Sequence, residues 1–244
     1  MLGTIVNCAA VIIGSALGIL FSKRVSKEIS SVISSGAGVF TLIIGFSLAF
    51  QSNNIIYLAL SLIIGGIVGT ILDIDGKILA IGRFLERRFG QQGTDDSDEK
   101  KDSRFAYAFL NASVLFSVGA MAIVGSFKAG TEGDYTLLYT KSVLDGFMSI
   151  VFAAAMGIGT AFAALALFVY QGLLTLSSGF LKPFVSSFMI SEVTGLGGAL
   201  IVMIGINLLD LKKLKTANYL PAILVVIGFV LLDPVFTRIS ELFV

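Results

Sequence analysis

Histidine is missing from this 244-residue chain, and cysteine occurs once, as Cys8. A lone cysteine in an apolar run forms no intramolecular disulfide, and without imidazole there is no thiolate or imidazole metal site. Nucleophilic catalysis through a Ser/His or Cys/His pair is excluded on the same ground. Charge is scarce as well: 14 % of residues are Asp, Glu, Lys or Arg, against about 25 % in soluble domains. The net charge of +1, with no basic-aromatic patch, gives no reason to expect nucleic acid as a partner. No cofactor is implied.

What is abundant is apolar sequence. With 56 % hydrophobic residues and a mean hydropathy of +0.95, the chain reads as an all-α polytopic membrane protein. About 20 apolar residues cross a bilayer as a helix. Such runs fall at about 3–21, 33–50, 55–72, 105–127, 193–209 and 219–232, and one unusually long run extends from Lys141 to Leu181. The basic group Lys23, Arg24 and Lys27 follows the first run, which reads as a retained span and not as a cleaved signal peptide. Between about Asp73 and Arg104 the chain turns polar. Asp73-Ile-Asp75-Gly lacks the later ligands of a calcium loop, so Asp75 is expected to cap the next helix. Ile78, Ile81, Leu85 and Phe89 then recur at helical spacing among Arg83, Glu86, Arg87 and Arg88, which predicts a basic amphipathic helix on the membrane surface. Residues 94–103 have no periodicity and read as a linker.

The long central run carries one formal charge, Asp145, and is too long for one ordinary crossing. Two patterns favour two crossings, with a break near Met156-Gly157-Ile158-Gly159. The first is an internal repeat: a shift of 160 residues lays Gly38 on Gly198, Ile44 on Ile204, Gly45 on Gly205, Leu48 on Leu208 and Asp73 on Asp233. A shift of 158 lays Gly14 on Gly172. The second is charge: two crossings put 13 of the 17 Lys and Arg residues on the inner side and one crossing puts 12. Eight spans are therefore expected, with seven as the alternative. The organisation is 1–72 as a first three-helix repeat, 73–104 as cytoplasmic helix and linker, 105–157 as a connecting helix pair, and 158–244 as a second repeat, inverted relative to the first. A short span is expected from Val143 to Met156.

Polar groups inside the spans are the candidate site, because an ionisable side chain in lipid is costly unless paired or hydrated. Asp145 leads, with Lys141 one helical turn before it. Ser142-x-x-Asp145 also has the form of a capping box, so a helix cap competes with a binding role. Glu192, after Ser191, is open to the same two readings, as a carboxylate in the first turn of a helix. Gln171 and the single amides Asn7, Asn111 and Asn207 either join helices or face a shared cavity. These seven side chains are the expected solute or ion ligands, with no catalytic and no metal-binding residue among them. An intramembrane hydrolase using Asp145 and Glu192 has no motif behind it, so an enzyme is not expected.

Several stretches carry a resemblance. They are Leu110-Asn-Ala-Ser, Val118-Gly-Ala-Met-Ala-Ile-Val-Gly-Ser126 with Gly130, Leu138-Tyr-Thr-Lys-Ser-Val-Leu-Asp-Gly146, Tyr170-Gln-Gly172, Gly197-Gly198, Gly205-Ile-Asn207 and Asn218-Tyr-Leu-Pro221. Together they resemble the YqgA/YdfK-like family of bacterial membrane proteins, over nearly the whole chain. The resemblance implies a domain of unknown function in the cytoplasmic membrane, and it marks Lys141, Asp145, Gln171 and Asn207 as motif positions. The functional expectation is a secondary transporter or channel for an ion or small polar solute, lodged between the repeats in the lipid bilayer. The alternative is a non-transporting scaffold or partner subunit, and a homodimer is left open.

Overall fold

The computed structural model describes residues 1–22, 26–89, 98–181, 183 and 185–241. Ten α-helices lie in these residues, with no strand among them: α1 Leu2–Ser22, α2 Lys27–Ala49, α3 Ile55–Ile71, α4 Ile74–Phe89, α5 Asp98–Ser117, α6 Ala120–Thr131, α7 Thr136–Met156, α8 Gly159–Leu181, α9 Ser187–Leu208 and α10 Ala222–Glu241. A 3-10 turn, Thr216–Tyr219, precedes α10. Six of the helices are long and apolar enough to cross a membrane, and two bent pairs bring the count to as many as eight.

Local signals set many of the ends. Ser26 caps α2 by accepting from Ile29 N, Asn54 caps α3 by accepting from Ile56 N and Tyr57 N, and Ser186 caps α9 by accepting from Met189 N. The central run does break where the glycines are: α7 ends at Met156, and Gly157 adopts φ +95°, a region that side chains disfavour. Its first half is longer than expected, since α7 begins at Thr136 and not at Val143. The expected span at 105–127 is instead two helices. Gly119, at φ +117°, breaks it, and α5 and α6 meet at 63°. The linker reading of 94–103 fails from residue 98 on, where α5 already begins, while 94–97 lie outside the described residues. Asp75 does not cap α4. It lies inside the first turn and its N–H donates to Asn218 Oδ1 (2.8 Å), while the Asp73 carboxylate lies against Gly76. The amphipathic helix forms, but of its expected basic residues only Arg83 has a described side chain.

Contacts between helices fix their directions. Gly3 of α1 faces Leu138 and Gly18 faces Ala153, so α1 and α7 run parallel. Cys8 Sγ donates to the Ala164 carbonyl while Met1 reaches Gly172, so α1 and α8 run antiparallel. The two halves of the central run thus point in opposite directions. Helices α2 and α9 are antiparallel and α3 and α10 likewise, as Tyr57 against Phe229 and Gly65 against Ala222 indicate. Along the α2–α9 seam the glycines let backbones touch. A methyl on Gly45 would stand 2.7 Å from Val202 N, and one on Gly205 would stand 2.7 Å from Leu42 Cδ2. Gly38 faces Leu209 just as Gly198 faces Ala49.

An apolar core cluster forms around Val11, Phe116, Phe152, Leu167, Leu200, Ile201 and Ile204, all buried. Large apolar side chains such as Ile13, Phe50, Ile55, Ile71, Leu176 and Phe180 are exposed on the outside, as a lipid solvent requires.

Candidate functional site

Three helices bring four of the expected ligands together. Asp145 lies in the middle of α7, as the tenth of its 21 residues, and is 7 % exposed. Lys141, one turn before it, is 5 % exposed and forms an ion pair with Asp145 Oδ2. From α1, Asn7 Nδ2 donates to the same carboxylate oxygen at 3.0 Å and to Gln171 Oε1 of α8 at 3.4 Å. Asn7 and Gln171 are both fully buried. The helix directions explain the meeting: α7 parallel and α8 antiparallel to α1 place residues 7, 145 and 171 at one level.

This arrangement removes the capping reading of Asp145. Ser142 Oγ donates to the Leu138 carbonyl (2.7 Å) inside a continuous helix, and caps nothing. It also joins Asp145 and Gln171, which a helix starting at Val143 would have left at different depths. An ion pair this deep is strongly destabilising to break, because either charge left alone is uncompensated.

The pair lines a cavity of about 340 Å3. Its walls are otherwise mostly apolar, including Leu48, Phe116, Met148 and Ile201, and Gly119, Ala120 and Met121 at the start of α6 complete them. A second cavity of about 400 Å3, lined by residues such as Ile78, Phe109, Val114, Tyr170 and Ile223, shares Val118 and Gly119 with the first. The break between α5 and α6 therefore stands as the common wall of two chambers. Broken helices at membrane depth are tolerated where the irregular backbone lines a cavity.

The other three expected ligands lie elsewhere. Glu192 is in the second turn of α9 and not the first, and the cap is Ser186. Its buried carboxylate accepts from Ser52 Oγ (2.6 Å), Asn53 N (2.6 Å) and Asn54 N (3.1 Å), which ties the α2–α3 turn to α9. Asn207 closes the loop after α9, donating to the Leu214 carbonyl (2.9 Å) and accepting from Leu214 N (2.7 Å). Asn111, on α5, reaches only the Met156 sulfur at 3.9 Å among the described residues. Glu192 and Asn207 thus each tie loop backbone to α9.

Sequence reasoning passed over the buried hydroxyls beside the cluster, Thr4 on α1, Ser126 on α6 and Thr175 on α8. Their spacing was the available signal: Thr4 and Asn7 are three apart, and Gln171 and Thr175 four apart, so each pair shares a helix face.

A family model described as "Protein of unknown function (DUF554)" matches residues 2–231. The "Uncharacterized membrane protein YdfK" of Bacillus subtilis (strain 168) is 35 % identical over 229 residues, covering 92 % of this chain and 93 % of that one. The "Uncharacterized protein YqgA" of Escherichia coli (strain K12) is 26 % identical over 224 residues, covering 92 % and 94 %. No solved structure matches.

Proposed function

The chain belongs to the DUF554 family, and from the site that it builds on that frame we propose that it is a secondary transporter or channel for an ion or small polar solute. The observation that carries the reading is the buried Lys141–Asp145 pair, held by Asn7, which also donates to Gln171, on the wall of a cavity of about 340 Å3. Purely structural ion pairs in lipid need no cavity, whereas solute sites in transporters lie near mid-membrane beside discontinuous helices.

The helix pairing supports two inverted repeats around this site. Helices α1, α2 and α3 pack antiparallel on α8, α9 and α10. Exchanging positions through the 160-residue shift turns the Leu42–Gly205 contact into Gly45–Val202, and Gly38–Leu209 into Gly198–Ala49. Reciprocity of that kind is what a pseudo-two-fold produces. Eight crossings, taking α5 with α6 as one broken span, keep the directions alternating along the chain. The distribution of Lys and Arg then favours the orientation with the α1–α2 and α9–α10 connections on the cytoplasmic side. No catalytic role is proposed, since Asp145 and Glu192 serve separate networks.

Reconstitution into proteoliposomes tests this. Flux of at least one solute from a broad ion and small-solute panel, lost in a folded Asp145→Asn variant, is the expected result. Wild-type protein without flux across that panel, or flux indifferent to Asp145→Asn, refutes the proposal and favours a scaffold or partner subunit.

A further inference from the structure

Eleven buried side-chain nitrogen or oxygen atoms have no hydrogen-bond partner among the described residues; five, on Ser61, Asp75, Asn111, Ser126 and Thr194, lie on other helices, and six lie on one helix pair. Thr4 Oγ1, Asn7 Oδ1 and Ser15 Oγ lie on α1, and Thr160 Oγ1, Gln171 Nε2 and Thr175 Oγ1 lie on α8, the helix packed against it. The antiparallel register sorts them. Asn7 meets Gln171, so Thr4, three residues before Asn7, and Thr175, four residues after Gln171, are displaced towards the same membrane face. Met1 against Gly172 marks that face. Cys8 meets the Ala164 carbonyl, and continuing the register brings Ser15 towards Thr160 on the opposite side. Between the two groups lie Val11 and Leu167, both fully buried and apolar. A third helix contributes at the first end: Gly130 of α6 abuts Thr175 and Ser178, which places Ser126, another unpartnered hydroxyl, near the level of Gln171.

Buried polar groups in native proteins are hydrogen-bonded, to protein or to ordered water. This set mixes a donor, the Gln171 amide N–H2, an acceptor, the Asn7 carbonyl, and hydroxyls that serve as either. A metal cation needs acceptors alone and would face the Lys141 ammonium, whereas water needs two to four partners of both kinds. The pattern therefore selects water.

Resting on the transport reading above, we propose that the α1–α8 seam is the proton pathway of this protein and that the proton is its coupling ion. Water between Thr4, Ser126, Gln171 and Thr175 carries a proton from the membrane face at which α1 begins to the Asp145 carboxylate. There hydronium gives its proton to the carboxylate and leaves as water, which releases the Lys141 ammonium from the pair. Ser15 and Thr160 form the half-path to the other face, and Val11 with Leu167 is the dry barrier between the halves. The ionisable groups near Asp145 are Lys141 on its own helix and the Cys8 thiol on α1. Helix α8 presents the neutral Gln171, and the cavity residues from α2, α5 and α6 carry no charge.

Silver ion tests the seam without a known solute. In a Cys8→Ser background, single cysteines replace Thr4, Ser126, Thr175, Ser15, Thr160, Val11 and Leu167 in the reconstituted protein. Silver added at the face where α1 begins is expected to block the Thr4, Ser126 and Thr175 positions at least tenfold faster than Val11 or Leu167. Added at the other face it is expected to favour Ser15 and Thr160. Equal slow rates at all seven positions, or access to Thr175 only from the far face, overturn the pathway. A second measurement reads the proton: infrared difference spectra are expected to show a carboxyl stretch that titrates with pH and is missing in Asp145→Asn. Its exchange in heavy water should slow at least tenfold in Ser126→Ala/Thr175→Val. A carboxyl band that never titrates, or exchange unchanged in the double variant, refutes proton delivery through the seam. If the seam admits silver and the carboxyl titrates but no solute moves, the transport reading alone fails.

Discussion

Removing Asp145 and Lys141 separately and together asks whether their pairing holds α1 and α7 in place. Asp145→Asn keeps the shape of the side chain and leaves the Lys141 ammonium buried with no counter-charge. Lys141→Met keeps the aliphatic stem and strands the carboxylate. Breaking a buried pair in this way costs about 3–5 kcal/mol. The Asn7 hydrogen bond to the carboxylate adds about 0.6–1.7 kcal/mol, the range found for polar contacts inside membranes. Lys141→Met/Asp145→Asn removes both charges, and Asn7 keeps Gln171 as a partner, so the double variant should lose less than either single one. The cycle should return a coupling of at least about 3 kcal/mol. Reversible unfolding in mixed micelles, titrated with dodecyl sulfate, supplies the numbers. Single variants each within about 1 kcal/mol of wild type, with additive effects in the double variant, would refute the claim that the pair is buried and mutually dependent.

Helix packing yields two opposed outcomes in the same unfolding assay. A methyl on Gly69 runs into the Asn218 carbonyl and one on Gly14 into the Gly146 carbonyl, so alanine at either should cost about 1–3 kcal/mol. Gly36, in α2, has nothing within 4 Å of its added methyl, and Gly36→Ala should stabilise by up to about 1 kcal/mol through helix propensity. Glu192→Ala strips three hydrogen bonds from the α2–α3 turn and should cost at least about 2 kcal/mol, while raising the maleimide reactivity of a cysteine at Gln51. For topology, a cysteine at Lys213 in a Cys8-free background should label from the cytoplasm and one at Gln51 from outside. Labelling of both from one side contradicts the antiparallel α2–α9 pair.

Composition settled the class of this protein, because a chain with so few charges and so many apolar runs can satisfy its backbone in lipid only as helices. Spacing carried further: the break at Gly157 and the paired glycines of α2 and α9 were legible, since only glycine tolerates those dihedrals and approaches. Asp145 also stood out, as the single charge of a long apolar run. Its role did not. Ser142-x-x-Asp145 fits a cap and a mid-helix pair equally well, and α7 extending back to Thr136 decided between them. Glu192 and Asn207 were grouped with Asp145 because polar residues in apolar helices all look alike along the chain. Their partners, Ser52 to Asn54 and Leu214, come from other elements or later turns. Likewise, nothing local predicts that residues 7, 145 and 171 share a level. That follows from which helices run parallel and which antiparallel, a long-range property that single-helix periodicity does not encode. The sequence by itself determined the all-helical membrane class, most of the spans and the break at Gly157, but not the break at Gly119. Only the tertiary structure decided which buried polar groups found partners, and which were left along the α1–α8 seam.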